Sequence, residues 1–465
     1  MTLARTLVAD VQRRRDYDRL TILNLFILLT QNFLTVLSGP PGAGKTSISV
    51  ILGDVLGLTE KSDSSGRFDR TGGSDHADRI ERTEKAESME KAESTESTER
   101  FLPVSVERGW TSKRDFLGYW NPLSKTFESP DPRRSDALAL LDAEARAGFD
   151  DLPFVMLLDE ANLSPMEYYW GDFMRICDDR SRMNRIALGG DALYDVPDTL
   201  RFLATINSDF TTENLSPRLL DRAPVVTLPE TEPDFANLGD RGASYEDGED
   251  GETDEGTRCT DSAPRPPVSW RAMRAAFGPR AHFEGEAEAL ALLEEVVAAF
   301  RATGGVTSVR TRRAMRDYVS SAVPVFCEAD AGGNGETTGG ASSKLAKLSN
   351  MAKFPTATQK TAQKARGKST LKGAAVKAVT AASASQSASQ GASVRLSVTD
   401  GVSAAVDFAV AARLLPRIEG SGDAYREKLE TFGETLAGLG LTRSRSILDG
   451  ILARGESALG WYRFF

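Results

Sequence analysis

From Leu20 to Leu37 the chain is dominated by apolar residues, with polar breaks at Asn24, Thr30, Gln31 and Asn32. The spacing predicts a buried helix over about 18–30 and a buried strand over about 33–37. The run follows Arg13, Arg14 and Arg15, as a signal peptide or membrane span would. The polar breaks and the Gly-rich loop that follows argue instead for an interior element, no membrane partner and a cytoplasmic protein. Three shorter apolar runs, FLPVSV (101–106), FVMLLDE (154–160) and LRFLATIN (200–207), are bounded by polar or turn residues. They read as buried parallel strands. Blocks 268–328 and 395–465 are Ala- and Leu-rich with helical periodicity. The expected fold is α/β: a parallel sheet with flanking helices over 1–232, then a smaller all-α lid over 268–328 and 395–465.

The pattern fails in three places. Residues 59–100 carry TEKAES and MEKAES repeats, with glutamate at every third position from Glu81 to Glu99. Period three fits neither helix nor strand, so a disordered insertion is expected. Residues 233–267 form an acidic, Gly-containing linker (YEDGEDGETDEG) ending in PRPP. Residues 329–394 are rich in Ala, Ser, Thr, Gly and Gln, and from Lys344 to Arg395 there are ten basic residues and no acidic one. The bland reading of that stretch is a solvated insertion, and the sharper one is nucleic-acid contact. Phe354 is its one aromatic residue, so base stacking is unsupported.

Composition narrows the chemistry. The chain has 465 residues, 40 % of them apolar, and a net charge of −10. An acidic balance argues against coating nucleic acid through bulk charge. Two histidines, His76 and His282, nearly exclude a His-based triad or a His-rich zinc site. Cys177, Cys259 and Cys327 are too scattered for a disulfide framework.

The strongest motif is Gly39-Pro40-Pro41-Gly42-Ala43-Gly44-Lys45-Thr46, followed by Ser47. It fits GxxxxGK[ST] between a strand and a helix, the context of a P-loop NTPase. Glycines let amides turn around phosphate oxygens, and the helix N-terminus favours an anion. Lys45 can reach the β/γ-phosphates, and the Thr46 hydroxyl can hold Mg²⁺. FVMLLDE ends an apolar strand in two carboxylates: Asp159 is the candidate for Mg²⁺ and Glu160 for activating water. Asn207 ends the next strand and can fix that water. Arg218 and Arg222 are four apart, so a helix would place them on one face beside Asp221. They form either a solvated helix face with a salt bridge or an arginine finger acting in trans on a neighbour's γ-phosphate. Arg310, Arg312, Arg313 and Arg316 crowd a predicted helix start, where the dipole disfavours cations. An anionic ligand would explain them, and so would a basic solvated face.

Together these residues resemble an AAA+ ATPase, within it the McrB-like branch near the MoxR-like proteins. The resemblance rests on GPPGAGKTS, GWTSKRDFLGYWNPL (109–123), LLDEANLSPMEYYWGDF (157–173), ATINSDFTTENLSPRLLDRA (204–223), SVRTRRAMRDYV (308–319), LLPRIEG (414–420) and the closing WYRFF. It implies Walker A at Lys45 and Thr46, Walker B at Asp159 and Glu160, sensor 1 at Asn207, the finger region at Arg222 with Arg218, and sensor 2 at Arg310, which would bind phosphate in cis. It implies ATP with Mg²⁺ as the working pair, GTP as the alternative, and a homo-oligomeric ring, often a hexamer. Tyr119 and Trp120 lie where the family places substrate- or partner-facing loops, and ordinary packing explains them equally well. McrB itself reads modified DNA with a domain ahead of Walker A, uses a distinct signature in place of TINSD, and is driven by GTP. With Walker A beginning at Gly39 such a domain is not expected here, so neither modified-DNA recognition nor GTP preference is carried over. The implied activity is remodelling of a protein or nucleic-acid partner. The alternatives are a nucleotide-gated scaffold for a nuclease or other effector in a defence complex, and a MoxR-like chaperone.

Overall fold

Helix α1 (Leu3–Arg14) buries Ala4, Leu7, Val8 and Val11, a stripe at helical spacing. Helix α2 (Arg19–Gln31) is buried from Thr21 to Thr30. Its start is fixed by Asp18, whose carboxylate accepts from Thr21 N at 3.0 Å. The computed structural model describes residues 2–59, 100–130, 151–177, 184–189, 192–207, 213–228, 266–328 and 396–465. The three low-complexity segments lie almost wholly outside the described residues.

The polar breaks in α2 are each bonded. Asn24 Oδ1 accepts from Tyr318 Oη at 2.7 Å, and Thr30 Oγ1 donates to Phe26 O at 2.8 Å. Gln31 Nε2 donates to Phe277 O (2.9 Å) and Ser321 Oγ (2.7 Å). These bonds satisfy groups that would be costly to bury alone. Among the described residues no helix is long and apolar enough to cross a membrane.

The central sheet has five strands: β1 (Leu34–Gly39), β2 (Phe101–Ser105), β5 (Phe154–Asp159), β8 (Leu200–Asn207) and β9 (Val225–Thr227). Their order is β2-β5-β8-β1-β9, and every neighbouring pair is parallel. β8 therefore lies between the strand that enters the Gly-rich loop and the strand that ends in the two carboxylates. The register pairs Gly39 with Asn207 and Leu158 with Ala204, so all three strand ends meet at one edge. That carboxyl edge is where ligands bind in open α/β sheets.

Two antiparallel hairpins project from this frame, β3 (Tyr119–Asn121) with β4 (Thr126–Glu128) and β6 (Arg185–Gly189) with β7 (Ala192–Asp195). Short helix α4 (Lys113–Leu117) precedes the first, and its capping box joins Ser112 to Asp115. Two more short helices, α5 (Met166–Tyr169) and α6 (Gly171–Ile176), follow β5 and bury Tyr169, Trp170 and Phe173. These rings pack with Phe33, Phe116 and Phe202.

After the one-turn helix α7 (Pro217–Leu220) and β9, the chain is mainly helical: α8 (Trp270–Phe277), α9 (Glu286–Ala302), α10 (Val309–Cys327), α11 (Val398–Arg413), α12 (Asp423–Gly438) and α13 (Thr442–Ser457). Helices α10 and α11 flank the basic insertion and pack against each other, with the Phe326 and Phe408 rings 5.7 Å apart. Bridging them with a long insertion costs little, since closure entropy grows slowly with length. The LLPRIEG and WYRFF motifs also meet, because β10 (Glu419–Ser421) pairs antiparallel with β11 (Trp461–Arg463). The described residues form one compact unit.

One buried cation joins the sheet to the helices. Arg201 on β8 is 3 % exposed. Its guanidinium donates to Leu29 O and Thr30 O at the end of α2, and to Asp198 O and Leu200 O. It also lies 4.2 Å from the Trp270 ring. The open carbonyls of a helix C-terminus are natural partners for such a cation.

Candidate functional site

The Gly-rich loop leaves β1 at Gly39 and enters α3 (Lys45–Val55). Gly44 caps that helix with φ +80°, a conformation that glycine adopts without strain. A Cβ there would come within 2.9 Å of both Arg15 Nη1 and Tyr17 Oη, the far ends of side chains that can shift, so it is the backbone that demands glycine. Lys45 is 7 % exposed. Its Nζ donates to Gly39 O at 2.8 Å and Pro40 O at 2.9 Å. The lysine is thus held inside its own loop, beside the amides of the first turn of α3.

Across the sheet edge, Thr46 Oγ1 donates to Asp159 Oδ1 at 2.8 Å. The same oxygen accepts from Thr205 Oγ1 at 2.5 Å. Thr205 Oγ1 in turn accepts from Glu160 N at 2.9 Å. A single buried hydroxyl on the middle strand therefore orients both carboxylate residues. Glu160 has φ 55° and ψ 42°, left-handed backbone that is unusual for a non-glycine residue. Strain of this kind persists where the surroundings hold it, and it clusters at functional sites. Asn207 Nδ2 lies 3.5 Å from Glu160 Oε1. Asn162, 4 % exposed, holds Asn207 by its backbone: Nδ2 donates to Asn207 O at 2.8 Å, and Asn207 N donates to Oδ1 at 3.2 Å.

The structure thus gathers Lys45, Thr46, Asp159, Glu160 and Asn207 at one sheet edge. The Thr46 hydroxyl and the Asp159 carboxylate are hard oxygen donors on facing elements, a pair that suits Mg²⁺. Among the described residues no group of three or more His, Cys, Asp or Glu could cage a metal. Mg²⁺ fits this donor set because it is commonly held by one or two protein groups together with substrate phosphates.

The predicted arginines lie elsewhere. Helix α7 ends at Leu220, so Arg218 and Arg222 do not share a helical face. They are linked instead through the Arg222 side chain, whose Nη1 donates to the Arg218 backbone carbonyl at 2.7 Å. Arg310 Nη1 donates to Asp221 Oδ2 at 2.7 Å, which joins the predicted sensor position to the finger segment of the same chain. The other cations at the start of α10 also meet carboxylates: Arg312 meets Glu294 at 3.2 Å, Arg316 meets Glu286 at 2.9 Å, and Arg313 lies 3.9 Å from Asp317. Their crowding at a helix start is explained by these partners without an external anion.

Sequence reasoning missed four residues around the loop. Thr205 and Asn162 carried a faint signal, as polar side chains inside apolar or motif segments. Arg15 and Tyr17, between α1 and α2, carried none. The Arg15 guanidinium lies 5.5 Å from the Tyr17 ring centre. Burial pushes the Tyr17 phenol up, with Arg15 opposing, and its Oη is buried without a hydrogen-bond partner. A cation and an unspent hydroxyl thus rest against Gly44. Arg15→Ala is expected to weaken nucleotide binding about ten- to hundredfold, the loss of one hydrogen bond to a charged group. Titration with a fluorescent nucleotide measures this, and unchanged affinity would remove Arg15 from the site.

No family model matches the chain, and no curated protein does. Among solved structures it is similar to a candidate ATPase from Cytophaga hutchinsonii ATCC 33406, at 13 % identity over 69 % of this chain and 78 % of that one, with a TM-score of 0.36.

Proposed function

We propose that the chain is a nucleoside triphosphatase that hydrolyses ATP with Mg²⁺ in a homo-oligomeric ring and uses that cycle to remodel a protein or nucleic-acid partner. The observation that carries this reading is the Thr46–Asp159 bond of 2.8 Å, with Glu160 and Asn207 beside it at the mouth of the Gly-rich loop. In it, Lys45 neutralises β/γ-phosphate charge, and Thr46 and Asp159 hold the metal. Glu160 takes the proton of the attacking water and Asn207 fixes that water. Bound by Thr46 and Asp159, Mg²⁺ would offset the charge that develops on the phosphates during transfer. Arg222 then completes the site of a neighbouring subunit.

The finer likeness, to the McrB-like branch, is part of the same proposal. Its support is the GWTSKRDFLGYWNPL segment, which forms α4 and the first strand of the β3–β4 hairpin. That hairpin is braced by Glu128, which accepts from Tyr119 Oη and Asn121 Nδ2. Tyr119, Trp120 and Leu123 are exposed at 43, 38 and 93 %. Exposed aromatic side chains on a braced hairpin suit contact with a partner.

The test is steady-state hydrolysis of ATP and of GTP with Mg²⁺ across a range of protein concentrations. Specific activity that climbs with concentration supports a site completed between subunits. A rate per subunit that stays flat while nucleotide binds tightly would overturn the ring reading and favour a nucleotide-gated scaffold. The preferred base follows from the same data.

A further inference from the structure

Asp221, the one carboxylate of the LSPRLLDRA segment, is heavily bonded. Its Oδ1 accepts from Ser308 Oγ at 2.6 Å, Thr311 Oγ1 at 2.9 Å and Arg417 Nη2 at 3.2 Å, and its Oδ2 from Arg310 Nη1 at 2.7 Å. Ser308 caps α10, Thr311 lies in its first turn, and Arg417 belongs to the turn after α11. Arg417 Nη2 reaches further, donating to Leu220 O at 3.1 Å and Thr311 Oγ1 at 2.6 Å. Its Nη1 donates to Val306 O at 3.1 Å. Two consecutive residues of the finger segment, Leu220 and Asp221, are therefore gripped by the helical part of the chain. Arg222 is the next residue.

The grip is ionic and partly buried. Burial alone would raise the Asp221 carboxyl, but hydrogen bonds from Ser308 and Thr311 and the charge of Arg417 outweigh it and hold the group below its usual range. Thr311 is fully buried. Networks of this kind rigidify what they join, because releasing one member leaves others unpaired.

We propose that Asp221 is a positioning residue: through its clamp to Ser308, Arg310, Thr311 and Arg417, the lid of one subunit sets the aim of Arg222 at the site of its neighbour. The proposal rests on the reading of Arg222 as a finger in trans and adds to it a dependence on the same subunit's lid. Asp221 touches no nucleotide in this scheme. Its loss acts on turnover in the next subunit while its own Gly-rich loop, Asp159 and Glu160 stay intact.

The experiment is subunit mixing with the full chain. Asp221→Asn is expected to lower kcat about 10²-fold, the cost of a misplaced catalytic group, with KM for ATP unchanged. Mixed with Glu160→Gln, it should regain activity above either variant alone. The Asp221→Asn subunit supplies a working site and the Glu160→Gln subunit a correctly held finger. Thr311→Val removes a hydroxyl that donates to Asp221 and accepts from Arg417 with little change in shape, and should show a smaller loss with the same complementation. Arg222→Ala mixed with Glu160→Gln is the control for the finger itself. If Arg222→Ala is complemented and neither Asp221→Asn nor Thr311→Val is, the defect lies within the variant subunit and the positioning role is overturned. Wild-type kcat in both Asp221→Asn and Thr311→Val overturns it as well. If Arg222→Ala is not complemented, the finger reading fails and the proposal falls with it.

Discussion

Arg222→Ala is expected to lower kcat by about 10³–10⁵, the range attributed to an arginine that stabilises charge in phosphoryl transfer. At the sheet edge, Lys45, Thr46, Asp159, Glu160 and Asn207 are brought together by three parallel strands. In the proposed reaction these groups bind, orient and accept a proton, and the one cation among them, Lys45, is turned onto the carbonyls of Gly39 and Pro40. Charge that spreads over the transferred phosphoryl group calls for a second cation. Arg222 follows a segment tied to the helical part of the chain through Asp221 and Leu220. Supplied from a neighbour, it would act only in the assembly. Binding of nucleotide should therefore survive in Arg222→Ala while turnover is lost. Isothermal titration beside a phosphate-release assay separates the two, and a kcat within threefold of wild type would rule the finger out.

Much of this was legible along the chain because it is written in local pattern. FVMLLDE and LRFLATIN are apolar strands whose polar ends could only lie at a sheet edge, and they do. Leu20–Leu37 divides into a helix and a strand where expected, since Asn32 breaks the run. What escaped was set by tertiary contact. Nothing near Thr205 in the chain shows that its hydroxyl will face Asp159 and Glu160, because that depends on which strand lies alongside. Arg15 and Tyr17 meet Gly44 only when the turn after α1 folds onto the loop. The cations at the start of α10 invited a ligand because their carboxylates, Asp221, Glu286 and Glu294, are distant in sequence. Arg218 and Arg222 were placed on one helix by spacing alone, and α7 proved too short to carry both.

Glu160→Gln is the second large effect. Proton transfer by a placed carboxylate contributes about 10²–10⁴ to rate, and a drop of that size in kcat is expected. The substitution keeps length and shape, so the left-handed backbone at position 160 and its amide bond to Thr205 should persist. What changes is basicity: an amide oxygen cannot take the proton of the attacking water. Removing a negative charge from beside the phosphates should also leave nucleotide affinity equal or higher, since like charges repel. The variant should thus bind ATP, fail to hydrolyse it, and hold the assembled state. Asn207→Ala should cost less, because in the proposed reaction Asn207 orients the water without accepting its proton. Single-turnover hydrolysis with size-exclusion chromatography in ATP measures both. If Glu160→Gln turns over at the wild-type rate, some other group activates the water, and the strained conformation of Glu160 serves the fold rather than the chemistry.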